Sequence, residues 1–173
     1  MRDPERTPFG TEGNRAHPMF EQMLALAKDA FVRHGPGCAE KVYEQAMLDL
    51  AREHGIPCLK QRFINMNHYS PRRLGRVDLE VDGRYVLELK ITAPTECNVQ
   101  KDREEQIDPY LQAYAFNDHT IDCAALIYFT PTGVVVVPVD PRWIFREKGC
   151  DVAEPEPSLE KIFQQLSVGP SET

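Results

Sequence analysis

A short stretch between residues 77 and 90 contains three side chains whose types and spacing could do chemistry: Asp78, Glu88 and Lys90. Two carboxylates offer hard oxygen ligands that suit Mg²⁺ or Mn²⁺. A lysine beside them can orient an attacking water or neutralise charge on a phosphate. On a solvated strand face the same residue types would do no chemistry, so the register of the chain decides between the two interpretations.

The apolar pattern of this stretch predicts a β-hairpin with a three-residue loop at residues 82–84. Apolar and polar residues alternate on both sides of the loop: Val77, Leu79 and Val81 before it, and Leu87, Leu89 and Ile91 after it. A two-residue loop would mix apolar and polar residues on each face, which a half-buried hairpin avoids. A three-residue loop with Gly83 in the left-handed region pairs Val81 with Tyr85 and places Asp78 opposite Glu88. Opposed carboxylates lie about 5 Å apart at Cβ and repel each other, so they need a cation or a raised pKa.

Length and composition indicate one soluble globular domain. The chain has 173 residues, of which 42% are hydrophobic and 27% are charged, and this is enough for one hydrophobic core. The net charge of −7 argues against a strongly basic nucleic-acid-binding surface. The segment 57–90 nevertheless carries seven positive and four negative side chains, which is compatible with phosphate contacts. The candidate substrate-binding residues there are Lys60, Arg72, Arg73 and Arg76.

Several function classes are disfavoured by what the sequence does not contain. The five cysteines form no C-x-x-C pair, which argues against a zinc or iron–sulfur site and against a disulfide framework. No apolar run approaches the roughly 18 residues of a membrane span. Residues 1–17 are polar and lack the apolar region of a secretory signal. We therefore expect a cytoplasmic protein with no membrane partner.

The predicted elements give an α/β domain over residues 18–140, preceded by a disordered tail at 1–17 and followed by an extension at 141–173. In chain order they are a helix from Pro18 to His34, a helix from Cys38 to His54, a strand from Leu59 to Tyr69, a turn at 70–73, the hairpin, a loop from Thr92 to Val99, a helix from Gln100 to Asn117, a buried strand from Cys123 to Phe129, an edge strand from Val134 to Val139 and a short helix from Ser158 to Leu166. The order predicts a mixed central sheet, with an antiparallel meander followed by a crossover helix and a further strand.

Pro109 lies inside the predicted helix from Gln100 to Asn117. An interior proline removes a backbone hydrogen bond at a cost of roughly 3 kcal/mol. The helix therefore either kinks at Pro109, or a new helix begins with Asp108 as its N-cap and Pro109 at its first position.

This combination of elements and residues resembles the core of the PD-(D/E)XK nuclease superfamily, which has a restriction-endonuclease-like fold. The resemblance rests on Asp78 followed by Glu88-Leu89-Lys90, with a carboxylate-bearing helix before the hairpin and a helix after it. A longer set of residues resembles the GxxExxR group of that superfamily: the segment Gly35 to Glu44, then Gly55, Ile56, Gln61, Gly75 and Asp78. Tyr43 stands where the name of that group implies an arginine.

The resemblance implies roles for particular residues. Asp78, Glu88, the Leu89 carbonyl and a glutamate from the preceding helix would hold Mg²⁺ or Mn²⁺, and Lys90 would act on the attacking water. Glu40 and Glu44 lie one turn apart on one helix face; the resemblance favours Glu40, while geometry permits either. Gln106 and Tyr110 form a Gln-x-x-x-Tyr pair similar to the extra motif of RecB-type nucleases, where it holds substrate or the site water.

The leading hypothesis is therefore a divalent-metal-dependent nuclease that hydrolyses DNA phosphodiester bonds, with an end-processing action implied by the RecB-like pair. DNA is favoured over RNA as the substrate, and a protein partner or a homodimer would fit a domain of this size. The first alternative is a catalytically inactive nucleic-acid-binding or scaffolding module on the same fold. A further alternative is a metal-dependent phosphohydrolase that acts on small substrates.

Overall fold

A computed structural model describes residues 18–67, 70–117, 119–139 and 141. The predicted N-terminal tail and the predicted helix at residues 158–166 lie outside the described residues. Within them the chain forms five strands and four α-helices, one pair of which is joined by a π-helical turn.

The five strands form one mixed sheet in the order β1-β2-β3-β4-β5. Their bounds are Cys58–Asn67 for β1, Ser70–Val81 for β2, Tyr85–Lys90 for β3, Cys123–Thr130 for β4 and Gly133–Val139 for β5. Neighbouring strands are antiparallel except β3 and β4, which are parallel. The predicted mixed sheet is therefore confirmed, and so is the edge position of the last strand, where Pro138 needs no ladder partner for its nitrogen. The predicted turn at 70–73 is wrong, because the antiparallel pairing with β1 already begins at Ser70.

The helices cover both faces of the sheet. Helix α1 spans Pro18–His34 and α2 spans Glu40–Glu53, while α3 spans Glu96–Asp102 and α4 spans Asp108–Phe116. The first pair packs with one set of buried strand residues, which includes Leu79, Leu87 and Leu89. The second pair packs with the opposite set, which includes Val77, Val86 and Leu126. The hairpin strands are consequently buried on both faces, and their carboxylates Asp78, Glu80 and Glu88 lie inside the protein rather than in solvent.

Two helix boundaries differ from the sequence prediction. Helix α2 begins at Glu40 rather than Cys38, after Gly37 takes a positive φ of 80°. The helical segment after the hairpin begins at Glu96 rather than Gln100, because the Thr95 side chain caps it by accepting a hydrogen bond from the Asn98 N–H. The predicted loop that begins at Thr92 is therefore shorter than expected.

The hairpin loop has the predicted register. Val81 pairs with Tyr85, so the loop contains three residues, 82–84. Asp82 and Gly83 both adopt left-handed conformations, with φ of 52° and 62°, and the Arg84 N–H donates to the Val81 carbonyl at 3.0 Å. A tight turn with two left-handed residues matches the right-handed twist of its strands, and Asp-Gly is a favoured sequence for it.

Pro109 is accommodated by a π-helical turn at Arg103–Ile107 that joins α3 and α4 into one continuous helical segment. The Asp108 N–H donates to the carbonyl of Arg103, five residues back. This wider turn relieves the clash that a proline ring makes with the carbonyl four residues before it. Of the two alternatives that the sequence left open, a new helix with Asp108 as its N-cap is wrong, because Asp108 and Ile107 before it both have right-handed helical dihedrals.

Candidate active site

The β2–β3 ladder ends next to Asp78, where the Asp78 side chain rather than the main chain makes the hydrogen bond to β3. Ladder pairs run from Val81–Tyr85 to Leu79–Leu87. Beyond them the Asp78 carboxylate accepts a hydrogen bond from the Leu89 N–H at 2.8 Å. Asp78 is only 6% exposed, so a buried carboxyl group is fixed at the point where the ladder ends.

Asp78 lies in a cluster with two glutamates from α2. One carboxylate oxygen from each of Glu40, Glu44 and Asp78 lies within 4.8 Å of the other two. Glu44 is 2% exposed and Glu40 is half-buried. Of the two helix carboxylates that the sequence left in competition, the structure brings both to Asp78, because they lie one helical turn apart on the face that packs against the sheet.

Glu88 and Lys90 extend this cluster along β3. The Lys90 Nζ donates to Glu88 Oε1 at 2.9 Å. Glu88 is 4% exposed, and its other oxygen, Oε2, is buried with no hydrogen-bond partner among the described residues. A buried polar atom without a partner is unfavourable, so this oxygen is available for a ligand.

The electrostatics of the site reflect burial and crowding of like charges. Burial, and after it the neighbouring Asp78, raise the pKa of Glu88 to about 8. Burial also raises the pKa of Asp78, although the Leu89 N–H opposes this, and burial raises the pKa of Glu40. For Lys90, burial lowers the pKa, but Glu88, Glu40 and Asp78 outweigh it and the net direction is upward.

These residues fit a divalent cation. All the donors are oxygens, the ligands that Mg²⁺ and Mn²⁺ prefer. A cation would compensate the cost of burying these carboxylates and offset the repulsion between them. The Leu89 N–H points toward β2, and the carbonyl of the same residue in an extended strand faces the same neighbour. The predicted ligands Asp78 and Glu40 thus lie together with Glu44, and the Leu89 main chain adjoins Asp78. Glu88 has one buried oxygen with no hydrogen-bond partner among the described residues.

Tyr110 reaches the site from the helical segment on the opposite face. Its hydroxyl donates to the Arg76 carbonyl at 3.1 Å. Burial, followed by the charges of Glu88 and Asp78, raises the pKa of Tyr110 to about 12, so the ring lies near both carboxylates. Gln106, the other member of the predicted pair, lies in the π-helical turn and has a buried Oε1 atom without a hydrogen-bond partner among the described residues.

The predicted basic residues take different positions. Arg76 is exposed and lies over the Phe63 ring, with its guanidinium carbon 5.6 Å from the ring centroid. Lys60 is half-buried and donates to Gln45 Oε1 on α2 at 2.9 Å. The side chains of Arg72 and Arg73 lie outside the described part of the structure.

Three features of the site have little or no signal in the sequence. Gln61 donates from Nε2 to Glu44 Oε2 at 2.8 Å, although the sequence gave it only as part of a resemblance. Gly75 permits the close approach of Tyr110, since a Cβ there would lie 2.7 Å from the tyrosine hydroxyl oxygen. Tyr43 stacks on Phe129 with 3.9 Å between ring centroids and donates to the Gly35 carbonyl at 2.6 Å, which makes it a packing residue.

Comparison with known proteins agrees with this fold. The family model of the PD-(D/E)XK nuclease superfamily matches residues 17–134, well over half of the chain. The chain belongs to this superfamily, whose nucleases act on nucleic acid and use divalent metals. Membership therefore supports a hydrolytic nuclease.

Other comparisons add little to this assignment. One similar solved structure is an alkaline exonuclease (LHK-Exo) from Laribacter hongkongensis, with 10% sequence identity, a TM-score of 0.38 and coverage of 92% of this chain and 83% of the exonuclease. No curated protein matches the chain. Among the described helices, none combines the length and the apolar character needed to cross a bilayer.

Proposed function

We propose that this protein is a divalent-metal-dependent nuclease that hydrolyses DNA phosphodiester bonds. The observation that carries the proposal is the buried group of carboxylates around Asp78, beside the Glu88–Lys90 ion pair. Burying several carboxylates together is costly unless a cation compensates their charge. A binding or scaffolding module on this fold would have no physical need for such a group.

Each residue of the site has a role in this proposal. Asp78, Glu88, the Leu89 carbonyl and Glu40 would hold Mg²⁺ or Mn²⁺. When bound, the cation polarises a phosphoryl oxygen and lowers the pKa of a coordinated water. Lys90, held by Glu88, orients the attacking water and stabilises the negative charge that develops on the phosphate.

The remaining candidate residues would hold the nucleic acid. Tyr110 lies close to both hairpin carboxylates, and we assign it with Gln106 to positioning of the scissile phosphate or its water. Arg76 is exposed near the same strand, and we propose that it contacts the backbone. We assign weaker phosphate contacts to Lys60, Arg72 and Arg73. The Gln-x-x-x-Tyr pair supports an action at DNA ends.

Metal binding is the first test of this function. We expect Mn²⁺ to bind the parent protein in a calorimetric titration, and the Asp78→Asn, Glu88→Gln double variant to lose this binding. The matched control is Asp49→Asn, because Asp49 is a carboxylate of α2 that lies outside the described cluster and bonds to Gln45. Absence of Mn²⁺ binding in a folded parent protein would refute the proposal and favour the inactive binding module.

Cleavage is the second test. With Mn²⁺ present, we expect Lys90→Met to reduce the rate on linear DNA by about 100-fold or more, in line with the loss of one preorganised charge-stabilising group. Linear DNA, closed circular DNA, RNA and a nucleotide should be compared as substrates. Equal cleavage by the parent and the Lys90 variant would contradict the assigned mechanism, and cleavage of circular DNA as fast as linear DNA would contradict the end-processing action.

A further inference from the structure

Gln61 has an unusual backbone conformation in the interior of β1. In the part of the chain that the structure describes, only Gln61 and Asp82 are non-glycine residues with positive φ. Asp82 lies in the hairpin turn, where that conformation is required, whereas Gln61 has a φ of 57° inside a strand. For a residue with a Cβ atom and no local turn to form, the left-handed region is energetically unfavourable.

The unusual conformation determines where the Gln61 side chain points. Successive side chains of a regular strand face opposite sides of the sheet. Lys60 and Gln61 instead both reach α2: Lys60 Nζ contacts Gln45 Oε1 at 2.9 Å, and Gln61 Nε2 contacts Glu44 Oε2 at 2.8 Å. With ordinary strand dihedrals, Gln61 would face α4 and could not reach Glu44.

The contact fixes one of the carboxylates of the candidate metal site. Glu44 is almost completely buried and its carboxylate lies within 4.8 Å of those of Glu40 and Asp78. The amide nitrogen of Gln61 donates this hydrogen bond to a carboxylate oxygen of Glu44. The bond occupies one Glu44 oxygen and restricts the rotation of the side chain. The carboxylate is therefore held in the orientation that faces Glu40 and Asp78.

The need to link α2 to β1 does not by itself explain the left-handed backbone conformation of Gln61. The adjacent Lys60–Gln45 bond already links β1 to α2, and no left-handed residue is needed for it. Unfavourable backbone geometry that persists at a cluster of functional side chains is typical of a site in which it serves function.

We propose that Gln61 is a positioning residue that orients Glu44 as part of the divalent-metal site, and that its left-handed backbone is what allows it to do so. This inference rests on the proposed metal-dependent function. It adds Glu44 to the site beside Glu40, and it assigns to Gln61 a role in metal affinity exerted through Glu44.

The test uses two substitutions that tolerate the left-handed region but cannot reach Glu44. Gln61→Asn keeps an amide that is one methylene shorter, and Gln61→Gly removes the side chain. Circular dichroism confirms that each metal-free variant is folded, and calorimetry then gives its Mn²⁺ affinity. We expect both to bind Mn²⁺ about 10- to 100-fold more weakly than the parent protein. The matched control, Gln45→Ala, removes the neighbouring helix–strand bond and should leave the affinity unchanged.

A second comparison shows whether Gln61 acts through Glu44. In a Glu44→Gln background, the Gln61→Asn change should produce no further loss of Mn²⁺ affinity. The inference is overturned if the parent binds Mn²⁺ and both Gln61 variants bind it equally well, or if Gln45→Ala weakens binding as much as they do. A parent protein that binds no Mn²⁺ overturns the proposed function and this inference together, so the two failures are distinguishable.

Discussion

Gly75 is the residue whose substitution tests the arrangement of Tyr110 most directly. A Cβ atom at this position would lie 2.7 Å from the Tyr110 hydroxyl oxygen, and 3.1 and 3.3 Å from Cε1 and Cζ of the same ring. Tyr110 cannot simply move away, because its hydroxyl bonds to the Arg76 carbonyl and its ring is buried. Gly75→Ala should therefore displace the ring from the candidate site.

The expected magnitude follows from two opposing effects. Gly75 is not in the left-handed region, so alanine there would stabilise the protein by about 0.4–1 kcal/mol if space were available. Forcing an extra atom into a packed contact costs about 1–3 kcal/mol. We expect a net decrease of about 1–2 kcal/mol in the free energy of unfolding. Tyr110→Phe alone should cost about 1 kcal/mol through the lost hydrogen bond.

The assay is a double-mutant cycle measured by urea denaturation. Without the tyrosine hydroxyl, the closest contact of the new Cβ atom relaxes from 2.7 to 3.1 Å, so Gly75→Ala should cost much less in the Tyr110→Phe background. The coupling energy should be about 1 kcal/mol. Tyr128→Phe is the control, because Tyr128 is a buried tyrosine on β4 whose hydroxyl bonds to Asp102, and its combination with Gly75→Ala should be additive. Additivity of the Gly75 and Tyr110 changes would refute the reasoning.

Two further predictions concern buried groups outside the site. Tyr114→Phe should lower the free energy of unfolding by about 1.5–3 kcal/mol, measured by urea denaturation, because the almost fully buried Glu80 would lose one of its two side-chain donors among the described residues and keep Arg62. Alkylation of Cys58 at pH 8 should be slow, because burial raises the pKa of its thiol from 9.0 to about 11. The reactive thiolate is then about 100-fold less populated. Mass spectrometry of samples taken at timed intervals measures the rate of alkylation.

Each of these two predictions has an internal comparison. Glu53→Gln, which breaks an exposed ion pair with Arg33, should change stability by less than about 1 kcal/mol. A Tyr114→Phe effect no larger than that would contradict the role given to its hydroxyl. The exposed Cys97 should react well before Cys58, and equal rates would show that burial does not protect Cys58.

The hairpin shows how much of the structure the sequence could predict. Alternation of apolar residues required that Val81 pair with Tyr85, and the structure has this register from Val81–Tyr85 to Leu79–Leu87. The predicted alternation ends there, because Val77 lies in the core opposite to that of Leu79 and Val81. The same kind of local pattern predicted the buried strand that begins at Cys123 and the edge strand that contains Pro138. These predictions held because each depends on neighbouring residues along the chain.

Features that depend on contacts between distant segments could not be predicted in the same way. The sequence left Glu40 and Glu44 in competition, and only the packing of α2 against β2 brings both to Asp78. Nothing in the residue type of Gln61 signals a left-handed strand position. The π-helical turn before Pro109 could not be predicted either. It forms because the proline ring does not fit a regular α-helix, while the helical segment is packed against the sheet on both sides of the turn.

That turn has a consequence for how this protein tolerates changes in length. Val99 in α3 and Ile107 at the end of the turn are both buried in the same apolar core. Deleting one residue from the turn would rotate α3 by about 100° relative to α4 and carry Val99 away from the sheet. Variation in chain length should therefore be confined to the surface loops, while the number of residues between Thr95 and Pro109 stays constant in any functional variant of this domain.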